Sequence, residues 1–273
     1  MSDQDPVASP SAERAIVLMY HRVGDSENDW ERRYCVTPKR FAQHMHMLHS
    51  KGYRPCGIEQ FAQWVGGTAA LPSGSFLLTF DDGFEGVYEH ARPVLLKLGW
   101  TASVFLVTQL IGQEDVWDEL NNPSSRRHRL LDRMQIAEMV GEGFSFHSHS
   151  RHHLDLTTLS DAQLEEELLG SRRDIEDLLE RPTPYLAYPF GRHDSRVQKA
   201  AHAAGYVAAF STKPGFNRPG QERFSILRLD VAGTDSAGVL GRKMALGSNI
   251  GSIGAMARYT IGRVCHRLGL GYS

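Results

Sequence analysis

The sequence predicts an α/β fold in which about seven parallel strands close into a barrel, on three observations. Apolar runs of strand length alternate with amphipathic helical stretches along most of the chain, the pattern of a parallel sheet covered by helices. No internal repeat divides the 273 residues, so one domain of barrel size accommodates the series. Polar residues capable of chemistry stand at the C-terminal ends of several different strands: His21, Asp81 with Asp82, His149, and the turn at Pro189, Phe190 and Gly191. In a barrel those ends converge on one mouth, whereas an open sheet offers a crevice only where its strand order reverses.

Residues 1–14 are polar, contain Pro6 and Pro10, and read as a disordered lead without the apolar stretch of a secretory signal. Residues 15–20 (Ala-Ile-Val-Leu-Met-Tyr) form a continuous apolar strand with His21 at its end. Thr37 caps a helix opened by Pro38, in which Phe41, Met45 and Leu48 share a face and which Gly52 closes. A short helix over 58–65 and a loop over 66–74 deliver the chain into a strand at 76–80, four of whose five residues are apolar. Asp81, Asp82 and Gly83 follow it directly.

From there strand and helix alternate. A helix over 87–98 ends at Gly99, and residues 103–108 form the next buried strand. Residues 112–129 are polar and lack clear periodicity, so they read as a long loop carrying Trp117. A helix over 134–142 leads through Gly143 to a strand at 144–148, whose end carries His149, Ser150, Arg151, His152 and His153. Ser160 caps a long charged helix over 161–180, a strand follows at 185–190, and Asp194 caps a helix running to residue 204. Strands at 206–211 and 224–231 complete a barrel domain spanning 15–235.

Residues 236–273 form a basic tail with five Lys/Arg and no Asp or Glu. Within it, 252–268 puts apolar residues on one helical face. That suits either an anionic membrane surface or packing on the barrel or another subunit.

Composition narrows the function. Lys+Arg number 30 against Asp+Glu 32, which gives no electrostatic footprint for nucleic acid. Cys35, Cys56 and Cys265 are odd in number and widely spaced, so neither a disulfide framework nor a cysteine zinc site is expected. No run reaches the length of a membrane span, and the chain as written reads as cytoplasmic. Thirteen histidines, several of them clustered, give the first hint of metal chemistry.

Asp81 and Asp82 carry that hint further. Two carboxylates side by side at the mouth of a buried strand repel, and one pKa rises unless a cation sits beside them. A bound metal resolves the conflict: one Asp becomes a ligand and the other an unprotonated base. The plain alternative is a solvated Asp-Asp-Gly turn. His149 and His153, four residues apart, weigh against it, because two imidazoles and a carboxylate leave open positions for water and substrate, as catalytic zinc requires. His147 and His152 lie in the same stretch and remain rival ligands.

The stretches Thr79 to Gly83, Ser148 to His153 and Tyr188 to Gly191 resemble, in order and spacing, the polysaccharide deacetylases of carbohydrate esterase family 4, the NodB-homology domain. The resemblance spans about residues 16–230. It implies a deformed (β/α) barrel with fewer than eight strands and a divalent metal, zinc foremost, held by Asp82, His149 and His153. It also implies Asp81 as catalytic base, with 188–191 as groove wall and oxyanion donor. Most members carry an Arg that steadies the base where this chain has Ala187, and an acid histidine late in the barrel where this chain has none. Met19 to Val23 resembles instead the permuted branch that includes the biofilm poly-N-acetylglucosamine deacetylases, which makes His21 the acid. Arg228 is the candidate replacement for the missing Arg.

The expected activity is metal-dependent removal of N-acetyl groups from an amino-sugar glycan. Trp117, Tyr188 and Phe190 are the aromatic faces available to sugar rings. O-deacetylation of a glycan ester and a binding domain without catalysis are the alternatives. The intact set of Asp81, Asp82, His149, His153 and His21 argues against the latter.

Overall fold

Side chains that alternate along the strands sort this chain into an inside and an outside. The computed structural model describes residues 11–117, 122, 124, 126–254 and 256–257. Its strands are β1 (Ile16–Tyr20), β2 (Arg22–Val23), β3 (Cys35–Val36), β4 (Arg54–Pro55), β5 (Ser75–Phe80), β6 (Ser103–Leu106), β7 (Ser145–Ser148), β8 (Tyr185–Ala187), β9 (Ala208–Phe210) and β10 (Leu229–Asp230). The helices are α1 (Pro38–Ser50), α2 (Ile58–Val65), α3 (Arg92–Lys97), α4 (Arg133–Gly141), α5 (Asp161–Leu179), α6 (Ser195–Ala203) and α7 (Ala237–Leu246).

Seven strands form one curled parallel sheet in the order β10-β1-β5-β6-β7-β8-β9, with β4 added beside β5. Period-two alternation gives each strand two faces. Val17, Leu77, Phe105, Tyr185, Ala187 and Phe210 share the inner cluster, which α2 joins through Ile58, Phe61 and Trp64. Leu18, Tyr20, Phe76, Leu78, Phe80, Val104 and Phe146 face outward and pack under the helices. Each large side chain so buried contributes about 1.5–3 kcal/mol, and the two layers together fix the register.

The sheet's two ends are joined by residues 226–230. Ile226 bridges Phe210 of β9 in parallel, and three residues later Leu229 pairs with Leu18 of β1. The expected strand over 224–231 is therefore broken into a turn (Arg223–Ser225), a bridge and the short β10. The cause is Asn217, whose side chain accepts from the Leu227 N–H at 3.0 Å and donates to the Leu227 carbonyl at 2.8 Å, taking both away from a ladder.

Other boundaries differ for local reasons. The strand expected over 185–190 stops at Ala187, because Pro189 lacks an N–H and Phe190 turns left-handed with φ 57°. The helix expected over 87–98 opens as a π turn at Val87–Ala91 before settling into α3, where Pro93 removes an interior donor. Thr37, Ser160 and Asp194 cap α1, α5 and α6 as their positions suggest, and Asp132 caps α4 in a capping box with Gln135.

The basic tail opens with α7, which Ser236 caps and which packs on α1. Its Lys243 is buried and donates to Asp235 at 2.5 Å and to the Asp230 carbonyl at 3.0 Å. Of the expected lead over 1–14, residues 1–10 lie outside the described residues, as do most of the amphipathic stretch over 252–268 and Cys265, while residues 11–14 are placed, with Ala12 buried and its N–H donating to the Leu71 carbonyl at 2.6 Å. Among the described residues no helix is long and apolar enough to cross a membrane.

Candidate active site

The inner face of the sheet turns polar at its C-terminal rim. On β5 the inward series Leu77, Thr79 continues to Asp81, and on β7 the inward His147 is followed by His149. Both strands end at that rim, so chemistry-bearing side chains from separate stretches meet there. They line a cavity of about 440 Å³ together with His21, Trp117, Phe190 and Gly191.

Asp82, His149 and His153 bring one ligand atom each to within 4.8 Å of one another, all three buried. The Asp82 Oδ1 lies 3.3 Å from the Nε2 of His149 and 3.3 Å from the Nε2 of His153. Yet among the described residues that oxygen has no hydrogen-bond partner. The reason is legible at His149: its Nδ1 donates to the Ala187 carbonyl at 2.8 Å, so in the neutral ring Nε2 presents a lone pair to the carboxylate. Lone pairs converging in a buried space without protons between them suit a divalent cation. A two-imidazole, one-carboxylate set is borderline in softness and leaves positions free, as a catalytic ion needs.

The backbone bends to make the cluster. Of the five described non-glycine residues with positive φ, four belong to this site: Asp82 (71°), Ser150 (65°), His153 (58°) and Phe190 (57°). Such conformations cost energy and persist where the surroundings hold them. Here Glu167 of α5, itself buried, accepts from the backbone N–H groups of Arg151 at 2.9 Å and His152 at 3.0 Å, and pairs with the His152 ring at 2.6 Å. That carboxylate clamps the turn between the two candidate ligands. His153 is then sandwiched between the rings of Trp117 (4.3 Å) and Phe190 (4.6 Å).

The rival histidines go elsewhere. His152 is taken by Glu167. His147 lies deeper, between Phe105 and Tyr185, with neither ring nitrogen bonded, and burial pushes its pKa down to about 3.

Asp81 has a different partner. Arg228 donates from Nη1 to Oδ1 at 2.6 Å and from Nη2 to Oδ2 at 2.7 Å, while its Nε donates to the Ser211 carbonyl at 2.8 Å. The guanidinium is fully buried and the carboxylate 2% exposed. Burial alone would drive the Asp81 carboxyl up, but Arg228 beside it holds the group below the usual carboxylate range.

His21 follows β1 into the cavity, packs edge-on against Tyr34 at 5.4 Å, and has a buried, unpartnered Nδ1.

The turn after β8 corrects one expectation. Tyr188 reaches the cavity wall, but its N–H donates to the Phe210 carbonyl at 3.1 Å and its hydroxyl to the Phe224 carbonyl at 3.1 Å. Its ring is buried and stacked on His193 at 4.6 Å. Tyr188 therefore offers neither an oxyanion donor nor a sugar face. Pro189 is buried beneath the turn, and among the described residues the N–H of Phe190, itself 48% exposed, has no acceptor. Gly191 is required there: at φ 68°, a Cβ would stand 2.1 Å from Thr212 Oγ1.

Residues 69–209, slightly more than half of the chain, match the family described as polysaccharide deacetylase. The chain belongs to the polysaccharide deacetylase family. YxkH of Bacillus subtilis (strain 168), itself named for that family, is 29% identical to this deacetylase over 216 residues, covering 79% of this chain and 71% of its own. The poly-beta-1,6-N-acetyl-D-glucosamine N-deacetylase of Staphylococcus aureus (strain MRSA252) is 24% identical over 240 residues, 80% of this chain and 79% of that one.

Among solved structures, IcaB from Ammonifex degensii matches with a TM-score of 0.71 at 25% identity, covering 81% of this chain and 93% of that chain. The Streptococcus pyogenes deacetylase PplD, solved in complex with acetate, shares the fold with a TM-score of 0.73 at 24% identity, covering 86% and 99%. The curled sheet is thus the deformed (β/α) barrel of these deacetylases. The matched span holds Asp81, Asp82, His149, His153 and residues 188–191, but neither His21 nor Arg228. Both of those enter the site from the ends of the chain that flank it.

Proposed function

We propose that this deacetylase removes N-acetyl groups from an amino-sugar polysaccharide or oligosaccharide, with zinc as its divalent ion. The observation that carries the reading is the buried cluster of Asp82, His149 and His153 beside a carboxylate, Asp81, that Arg228 keeps charged. The similarity to a poly-beta-1,6-N-acetyl-D-glucosamine N-deacetylase supports the amide and the amino sugar.

An acetamide is a poor electrophile with a reluctant amine leaving group, so water, carbonyl and nitrogen all need help. The ion, when held by the three ligands, supplies Lewis acidity toward the acetyl carbonyl and lowers the pKa of water to about 7. Asp81 takes the proton of the attacking water, and the Arg228 fork keeps its carboxylate ionised and oriented for that transfer. The Phe190 N–H donates to the oxygen on which charge develops. His21, protonated, hands a proton to the departing nitrogen, and acetate and a free amine leave.

Acetate release tests the reading. N-acetylated glucosamine oligomers should yield acetate, chelation should abolish it, and added zinc should restore it. Release from acetylated xylan alone would replace the amide with an ester, and no release from either would refute the assignment.

A further inference from the structure

The cavity has a wall that the steps above do not use. Glu114 bridges Arg129 and the Asp115 N–H donates to the His128 carbonyl at 3.0 Å, ahead of a bend at Trp117. Glu114 and Val116 face out, and Val116 is 45% exposed. Asp115 and Trp117 face into the cavity. Asp115 is only 3% exposed, yet just one of its carboxylate oxygens is bonded: Oδ1 accepts from the His128 N–H at 2.5 Å. Among the described residues Oδ2 has no partner.

A carboxylate so little exposed, with its second oxygen open only to the cavity, is costly to hold, so its place is enforced from outside. The enforcing network is largely buried. Arg22 bonds to the His128 Nδ1 at 3.2 Å and to Glu31 at 2.9 Å, and Glu31 also accepts from Asn122 at 2.9 Å and Ser124 at 3.1 Å. Arg22 follows His21 directly, so the network ties the Asp115 wall to the strand end that carries the proton donor. Nothing in the reaction steps requires this carboxylate. Its free oxygen points to a ligand.

We propose that Asp115 is the acceptor for a sugar hydroxyl and, with the Trp117 ring as the adjoining face, orients the amino-sugar residue whose acetamide reacts; this rests on the deacetylase reading above. Both side chains line the same cavity, two residues apart in the chain. A flat aromatic surface and a neighbouring acceptor suit the apolar face and the hydroxyl edge of one sugar. The alternative occupant, the ammonium of an already deacetylated residue, fits less well. Asp115 also feels the Arg22 guanidinium, and a cation at Asp82 would repel a second positive charge nearby. A neutral polyol meets no such repulsion.

The test compares two substrates, an N-acetylglucosamine oligomer and p-nitrophenyl acetate, which has the acyl group but no sugar hydroxyls. The metal content of each protein is measured alongside. Asp115→Ala should lower kcat/KM on the oligomer about 10- to 100-fold more than on the ester, the worth of one hydrogen bond to a charged group. Asp115→Asn, which keeps a carbonyl acceptor, should lose less. An oligomer-to-ester ratio unchanged in Asp115→Ala overturns the proposal while leaving the deacetylase reading intact. Asp115→Asn losing as much as Asp115→Ala overturns the hydroxyl assignment in favour of a charge-seeking group. Loss of metal from Asp115→Ala places the residue in the metal centre and overturns the proposal as well. A wild-type protein that cleaves the ester but releases no acetate from any glycan sinks the deacetylase reading, and this proposal with it.

Discussion

Replacing Arg228 by alanine removes both bonds that hold Asp81 and leaves a carboxylate of 2% exposure without a counter-charge. Truncating one partner of a buried ion pair costs about 3–5 kcal/mol. At about 1.4 kcal/mol per factor of ten, that is roughly two to three and a half orders of magnitude in the ionised population if the protein responds by protonating Asp81. The sign follows from the native pair. In the native fold the Asp81 carboxyl sits below its ordinary value, so the pair's stabilisation is present above the ordinary carboxylate range and is lost as pH falls through the folded value. Without Arg228 burial pushes the carboxyl up against only the weaker pull of His149 and His21, and the base is then charged only at higher pH.

The assay is the pH profile of kcat/KM for acetate release. Its acid limb should move to higher pH in Arg228→Ala, with a loss of about 100-fold or more at neutral pH. Arg228→Lys keeps a positive charge but loses the fork, so it should fall between the two and serves where the alanine variant folds poorly. An acid limb that coincides with the wild type in both variants would refute the role given to the pair.

Asp82→Ala should lose metal and activity together, read by elemental analysis beside acetate release. His21→Ala should keep its metal and lose turnover by about 100-fold or more; a wild-type rate removes the proton-donor assignment. Glu167→Ala frees the turn before His153 and should weaken metal binding about 10- to 100-fold with the ligands all present. A zinc titration that superimposes on the wild type would return Glu167 to a role in stability alone.

Much of the site was legible because the chain announces it locally. An apolar strand that ends in Asp81 and Asp82, and one that ends in His149 with His153 four residues on, carry their own address, since strand ends meet at the barrel mouth. What the sequence hides is set by contacts between distant segments. Asn217 breaks the expected strand over 224–231 through two bonds to Leu227, and no periodicity in that stretch reveals it. Tyr188 reads as an aromatic face, yet Phe210 and Phe224 claim its N–H and hydroxyl. Glu167 lies among other acidic residues of a charged helix, and only its buried position singles it out. Asp115 sits in a polar stretch without a period, so its place beside Trp117 on the cavity wall emerges only from the fold.

Residues 226–230 stitch one rim of the sheet to the other, and the same short stretch delivers a guanidinium to the proton acceptor. On the proposed mechanism, a chain in which that stretch has not docked would leave Asp81 without the cation that orients it, so closure of the sheet and hydrolytic competence would come together.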